Sequence, residues 1–440
     1  MARGGDREFD VVVYGATGFT GARVAAECAA QAAACAAEGA ASAPTVCLAG
    51  RDAARLQALA GALPDPVAGV AVADVADTAA LDALCARARV VVSCVGPYRL
   101  WGEPVVAACV RAGTDYVDIS GEPEFIERME LAYGQAARDA GCLIVSACGF
   151  DSVPCDLGTL LTAREVRERA GPGGAPAGVE AYITIGTDDG RSVVGHFPTW
   201  QCAVMGFGAS GELRALRKRA RGALPVPVIV GPKMGVRRGW HQRAELPGRH
   251  AYPFPGSDAS IIKRTMAYLG AHPADAEHGF KPVHAAVYLT VSSAWYKFLF
   301  SCYGWLFGLL ASKKWGRNLL LRYPALFSYG AFTEMGPTDD DIDHTTVRVD
   351  FFGTGYSTAP NAGAPPGPPD VKVHCQLNGP EPGYALCSRV CAAAAMTLVD
   401  DDERTRVMPA GGVLTAAAAF GRTGLMERCA KRGVTFEVLE

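Results

Sequence analysis

Near its amino terminus the chain passes from a short apolar run, Phe9–Tyr14 (FDVVVY), through Gly15-Ala16-Thr17-Gly18-Phe19-Thr20-Gly21 into an Ala-rich stretch, Ala22–Ala41. The apolar run reads as a strand buried in a parallel sheet. The alanines give the stretch beyond the glycines strong helix propensity. Between strand and helix, glycine recurs every third residue. The first glycine permits a tight turn, the second lets backbone approach a pyrophosphate, and the third allows helix to pack closely on strand. The free N–H groups and dipole of the helix start then hold an anion without a cationic side chain. A Gly-rich turn that binds nothing is the alternative, but the strand–turn–helix context favours a dinucleotide.

Alternation continues through the first third of the chain. Thr45–Ala49, Val67–Ala73, Val90–Val95, Tyr116–Ile119 and Cys142–Ala147 read as strands. Asp52–Leu63 (capped by Asp52), Thr78–Arg87, Glu103–Ala112 and Glu124–Ala140 read as helices. This predicts an α/β fold: a Rossmann-type, doubly wound parallel sheet with right-handed crossovers over residues 8–155. After Pro154 come Pro/Gly-rich stretches at Gly171–Gly178, Leu224–Pro232 and Thr358–Pro369, with alternating strand-like segments at Thr346–Val349 and Val371–Leu377. Residues 156–410 are therefore expected to form a second, mixed α+β domain for substrate or oligomerisation. Residues 411–440 read as a helix and a terminal strand that return to the first domain.

The 440 residues suffice for two or three domains, and 50% hydrophobic against 20% charged residues provides for large cores. A net charge of −3 argues against a broadly basic nucleic-acid binder. The first residues contain no apolar segment of a secretory signal. The 15 cysteines lack C-x-x-C spacing and the eight histidines lack ligand spacing, so buried thiols and no metal are expected.

Where the second strand ends, Gly50-Arg51-Asp52 puts an arginine at the position that contacts the adenosine ribose. A guanidinium there suits a 2′-phosphate and favours NADP(H) over NAD; the bland reading of Arg51 is a solvated charge. Asp74 ends the third strand near the adenine position. Val95-Gly96-Pro97-Tyr98 ends the fourth, with Tyr98 either along the nicotinamide half or simply packed.

Hydride chemistry also needs groups that place and protonate the acceptor. The Tyr/Lys pair at four-residue spacing is missing, as are H-E-x-x-H, the P-loop and G-x-S-x-G. Tyr98, Asp118 and Asp151 remain as catalytic candidates, the last two in the clusters 116–122 and 149–154. Either aspartate equally suits binding backbone N–H groups and stiffening a turn.

From Ala285 to Ser312 the only charge is Lys297. Trp295, Tyr296, Tyr303, Trp305 and Trp315 are interspersed, and Lys313, Lys314, Arg317 and Arg322 come after. The pattern matches a headgroup interface, and in-plane insertion is favoured over a span, a core helix or a dimer face. Arg214–Arg221 adds a basic cluster that suits anionic lipid or a solvated face.

GATGFTG, AGR, SCVGPYRLWGEPVVAACVRAGTDYVDISGE and CGFDSVPCDLG, with Tyr252–Asp258 (YPFPGSD) and Gly411–Gly421 (GGVLTAAAAFG), together resemble the saccharopine dehydrogenase-like oxidoreductases over most of the chain. The resemblance implies an NADP-type Rossmann domain and a mixed α/β domain. It also implies membrane or lipid-droplet members and bacterial relatives that are trans-acting enoyl reductases of complex lipid assembly. By it, Gly15, Thr17, Gly18, Phe19, Thr20 and Gly21 hold the pyrophosphate, Arg51 the adenosine phosphate, and Gly96–Tyr98 flank the nicotinamide; Ala16, within the same turn, is a further candidate for cofactor contact.

The expectation is an NADPH-dependent enzyme acting on a small-molecule or lipid substrate in (glyco)lipid metabolism, with a homodimer left open. It would sit on the cytosolic side of a lipid droplet, mitochondrion or plasma membrane and not be secreted. Two alternatives stand: a saccharopine-type amino-acid dehydrogenase using Arg237, Arg238, Arg243 and Arg249, and a non-catalytic NADP-binding scaffold on lipid.

Overall fold

β1 (Phe9–Tyr14), α1 (Phe19–Ala37), β2 (Val46–Gly50), α2 (Ala53–Ala62), β3 (Gly69–Val72), α3 (Thr78–Ala86), β4 (Ala88–Ser93), α4 (Tyr98–Ala112), β5 (Asp115–Asp118), α5 (Pro123–Ala140) and β6 (Leu143–Val145) alternate without interruption. In this computed structural model the described residues are 7–38, 43–222, 225–227, 229, 234, 236–360, 367–407 and 411–439. The end of the stretch read as helix to Ala41, most of Leu224–Pro232, residues 361–366 of Thr358–Pro369, and residues 408–410 and 440 lie outside them.

Next come α6 (Val153–Ala170), β7 (Ala175–Thr187), β8 (Gly195–His196), α7 (Phe197–Gly208), α8 (Ser210–Arg219), β9 (His250–Pro253), α9 (Asp258–Ala271), β10 (His284–Val291), α10 (Ala294–Ala311), α11 (Lys314–Arg322) and α12 (Pro324–Phe327). After these stand β11 (Phe332–Thr333), α13 (Asp339–Asp343), β12 (Thr345–Tyr356), β13 (Val371–Pro380), α14 (Cys387–Val399) and α15 (Asp401–Arg406). The chain ends with β14 (Gly412–Leu414), α16 (Ala416–Phe420), α17 (Leu425–Lys431) and β15 (Thr435–Val438).

The chain divides into two compact units, one running to Val153 and including Gly383–Arg432, the other comprising Pro154–Pro382 and Gly433–Glu440. In the first, seven parallel strands lie in the order β14-β6-β5-β4-β1-β2-β3. The chain winds outward from β1 to β3 and restarts at β4 on the other side of β1. That reversal leaves a crevice beyond the carboxyl ends of β1 and β4. Val11, Val12, Val13, Val90, Val91 and Val92 are wholly buried in these central strands, as their apolar runs require.

The second unit is built on a mixed sheet, β15-β13-β12-β7-β10-β9, in which only β10 and β7 run parallel. The two segments read as antiparallel strands around the Pro-rich loop are β12 and β13, paired from Thr346–Pro380 to Gly355–Val371. Helix α6 lies so close to this sheet that a Cβ on Gly158 would fall 2.1 Å from the Phe351 ring. Thr265 of α9 donates to Asp156 of α6 at 2.7 Å.

Several sequence expectations are corrected. Helix α4 starts at Tyr98 rather than Glu103, because the distant Glu122 carboxylate accepts from the N–H groups of Tyr98 and Arg99, at 2.7 and 3.3 Å. An acid 24 residues away thus satisfies donors that helix starts leave open. The stretch from Gly411 is not one helix. It opens as strand β14 on β6 and breaks into α16 and α17, and β15 then joins β13 of the second unit. The apolar stretch 285–312 is also two elements. Its first part is β10, paired to β7 and β9, and only Ala294–Ala311 is helical, which excludes one spanning helix over that range. Among the described residues the one helical segment long and apolar enough to cross a membrane is Pro382–Val399, and it is mostly buried.

Gly158→Ala should lose about 1–3 kcal/mol through overpacking against the fully buried Phe351. Gly61→Ala, in α2 with open space at its Cβ, should gain about 0.5–1 kcal/mol. Chemical denaturation of the two variants should therefore give shifts of opposite sign.

Candidate functional site

The turn between β1 and α1 is shaped by its glycines in three distinct ways. Gly15 holds φ +83°, the left-handed region, and a Cβ there would lie 2.7 Å from Cγ2 of Val95. At Gly21 a Cβ would lie 2.1 Å from the Gly15 carbonyl oxygen, so α1 is pressed onto the turn. Gly18, the N-cap of α1, is exposed, and a Cβ there would meet only the Gly15 oxygen, at 3.3 Å. The first and third glycines are steric necessities of the fold. The middle one keeps open the approach to the α1 N-terminus, where peptide N–H groups and the helix dipole favour an anion.

Side chains brace the loop. Arg55, one turn into α2, donates from Nη2 to the Thr17 carbonyl at 3.0 Å. Phe19 packs edge-on against Tyr384 with ring centroids 5.0 Å apart, and the Arg23 guanidinium lies 4.3 Å from the Phe19 ring centroid. Ala16 is buried, while Thr17 and Thr20 are half-buried. Sequence reading missed Arg55 and Tyr384. For Arg55 the only signal was its position four residues after Arg51.

Arg51 is exposed directly beyond β2, and Asp52 beside it caps α2 by accepting from the Arg55 N–H at 3.0 Å, as its position predicted. The acid after Arg51 is therefore occupied, which leaves the arginine to meet a ligand. Asp74 is exposed past β3 and accepts from the Ala76 N–H. Val95, Gly96 and Pro97 come after β4, with Val95 packed against Gly15. The exposed arginine, the open helix N-terminus and the Gly18 approach fit a 2′-phosphorylated dinucleotide.

Tyr98 is placed differently from the expectation of a ring lining the ligand. It is 5% exposed, its hydroxyl donates to the Ser93 carbonyl at 2.8 Å, and its ring packs against Phe125. Burial raises its pKa well above the phenolic range. It is a packing residue of the β4–α4 turn.

Asp118 is wholly buried at the end of β5. It accepts from the N–H groups of Ser120 and Ala147, both at 2.9 Å, from Tyr116 at 2.8 Å and from Ser146 at 3.0 Å. The Cys148 N–H donates to its main-chain oxygen. Asp118 thus clamps the ends of β5 and β6 together, the turn-stiffening role weighed from the sequence. Burial pushes its pKa up to about 6 against the pull of these donors. Asp151 is half-buried with its carboxylate against Gly121, where a Cβ would lie 2.6 Å from Oδ2. The two polar clusters read from the sequence are therefore brought together.

Residues 11–145 match the family model for the saccharopine dehydrogenase NADP-binding domain. The human saccharopine dehydrogenase-like oxidoreductase is 38% identical, with 98% of each chain covered. The chain belongs to the saccharopine dehydrogenase-like oxidoreductases. A Caenorhabditis elegans lipid droplet localized protein is 33% identical over 98% of each chain. A putative trans-acting enoyl reductase of Mycobacterium tuberculosis is 31% identical, covering 98% of this chain and 97% of its own. In fold the chain resembles the L-Glu-forming saccharopine dehydrogenase of Saccharomyces cerevisiae, with a TM-score of 0.54 at 16% identity over 98% of this chain and 100% of that one. This member of the family is thus an oxidoreductase whose first unit binds NADP(H).

Gly18→Ala should leave folding intact and weaken NADPH binding about tenfold or more, whereas Gly21→Ala should lower the melting temperature because backbone stands in the way. Fluorescence titration and thermal denaturation separate the two. For Asp118, a folded pKa near 6 lies above its ordinary 3.8, so folding favours the protonated form. Its contribution to stability is full below about pH 4 and falls as pH rises to 6, by about 3 kcal/mol. The stability difference between wild type and Asp118→Asn should therefore shrink between pH 4 and 7, as denaturation at each pH would show.

Proposed function

We propose that this NADP(H)-dependent oxidoreductase reduces an unsaturated or carbonyl group of an apolar, lipid-type substrate at a membrane or lipid-droplet surface. The observation that supports the cofactor's part in this reading is the open Gly18 approach in the switch-point crevice, with Arg51 exposed one strand away. Bound NADPH supplies the hydride. The chain's own residues do the rest. The α1 N-terminus and Gly18 would hold the pyrophosphate, Arg55 steadies Thr17, and Arg51 would hold the 2′-phosphate.

Tyr98 and Asp118 act as positioning residues, the first fixing the turn after β4 and the second holding the β5 and β6 ends in register. Asp151, half-buried beside Gly121, is the group assigned to proton delivery.

The lipid-type substrate is supported by the names of two full-length relatives, one lipid droplet localized and one a putative enoyl reductase. It is also supported by the aromatic surface of the second unit. A saccharopine-type substrate would need free cations for its carboxylates. Arg243, one of the four arginines available for that role, is spent on Glu180 and Glu245 and stacks over the Phe352 ring.

NADPH consumption with medium- and long-chain enoyl and carbonyl lipids, run beside saccharopine, tests the substrate class. Turnover with lipid acceptors alone is expected. Turnover with saccharopine alone would overturn the lipid reading, and binding without any consumption would favour the scaffold. Arg51→Asp should weaken NADPH binding about tenfold or more while leaving NADH binding nearly unchanged. Equal losses for both nucleotides would remove the 2′-phosphate role.

A further inference from the structure

Helix α10 carries one charge, Lys297, in an otherwise largely apolar sequence, yet it is not enclosed. Its inward face is Phe300, Tyr303, Phe307 and Leu310. Phe300 meets Trp240 and Tyr252 at 5.8 and 6.0 Å, while Tyr303 and Phe307 meet Trp200 at 6.3 and 5.4 Å. Trp240 also donates to Ser301 at 2.8 Å, and Trp200 to the Leu320 carbonyl at 2.9 Å. These contacts fix the rotation of the helix about its axis.

The opposite face then presents Trp295, Phe298, Cys302, Trp305 and Leu309, all exposed, at intervals of three and four residues. Trp295 and Trp305 are 64% and 70% exposed. That stripe has the spacing of a core-facing helix but faces outward. Beyond Ser312, Trp315, Tyr323 and Leu326 are exposed as well. A contiguous apolar surface of this kind calls for an apolar partner.

Charge identifies the partner. From Ser292 through Thr333 the chain carries no Asp or Glu, but it carries Lys297, Lys313, Lys314, Arg317 and Arg322. Helix α7, packed against α10 and α11, is uncharged and adds the exposed Phe207 beside Phe307. Arg317 is partly engaged, donating to the Ala311 carbonyl at 2.9 Å, whereas Lys313 and Lys314 stand exposed at the α10–α11 junction. An uncharged protein face would gain nothing from this cationic, acid-free rim. Anionic headgroups would.

We infer that the outward stripe of α10, with Trp315 and the junction lysines, is a docking surface that lies in the plane of an anionic lipid surface. At 18 residues α10 is about 27 Å long, and an in-plane helix puts its tryptophans at the headgroup boundary and its lysines among the phosphates. The inference extends the reading of a lipid-directed oxidoreductase and takes its lipid partner from it.

The test is flotation of the full chain with vesicles of pure phosphatidylcholine or of phosphatidylcholine containing about a third phosphatidylserine. Wild type should float with the anionic vesicles, and its tryptophan emission should shift to the blue. The triple change Trp295→Ser, Trp305→Ser, Leu309→Ser should cut the partition at least about tenfold. Lys313→Glu with Lys314→Glu should remove the preference for anionic vesicles. All these side chains are outside the core, so NADPH titration and melting temperature should stay at wild-type values, and failure of the substrate reading would appear only in the turnover assay. Undiminished flotation of the triple variant would overturn the inference. So would absence of flotation in wild type together with a dimer that the triple change dissolves, which would assign the stripe to a second copy.

Discussion

The carbonyl oxygen of Gly15 stands 2.1 Å from where any side chain of Gly21 would begin, and that contact sets the rest of the first unit. It brings the start of α1 down onto the end of β1, at the place where the sheet reverses its winding. A methyl group at residue 21 would lift the helix and turn its N–H groups away from the crevice. The requirement is purely steric, and it sets backbone N–H groups of the α1 start at that end of the sheet, an arrangement that favours an anion. Gly18 differs in degree, since a Cβ there would meet only the Gly15 oxygen, at 3.3 Å.

Asp118 makes the neighbouring strand ends equally fixed. Four donors converge on one buried carboxylate, from β5 itself, from the turn after it and from the loop after β6. Burial still outweighs those bonds enough to raise its pKa to about 6. The arrangement trades some stability at neutral pH for a defined loop geometry, as groups beside functional sites often do. Asp151 gains its position from this clamp, since its loop leads directly on from Ala147 and Cys148.

The parallel sheet and its phosphate turn were readable because their information is local. An apolar run, a glycine period and a helix-forming stretch adjoin one another in the chain, and Asp52 signals its own cap. The start of α4 was not readable, because its capping carboxylate, Glu122, arrives from beyond β5. Nor could the sequence show that Tyr98 would spend its hydroxyl on Ser93, a bond between residues that only the turn brings together. The carboxyl-terminal return is similar. Three residues, Gly412–Leu414, become a strand only because β6 offers an unpaired edge, and α14 is drawn into the first unit by packing on α1 and the central strands. Neither fact has a local signature.

Helices α10 and α14 show why apolar composition alone decides so little. Both are largely apolar with a single charge each, a pattern that fits a deeply buried helix or one in contact with lipid. Helix α14 is made largely of Ala, Val, Cys and Met, small or pliable side chains that let neighbours close on every side, and nearly all its residues are buried. Helix α10 carries Trp, Tyr and Phe in quantity, and only Leu310 and Ala311 are fully buried. By length and hydropathy Pro382–Val399, which contains α14, has the character of a membrane-crossing segment. Yet those aromatics, with a polar tip on an apolar body, suit a boundary between water and hydrocarbon better than either phase. Side-chain size therefore separates the two helices where hydrophobicity does not: the small-residue helix fills the core, and the large-residue helix meets what lies outside it.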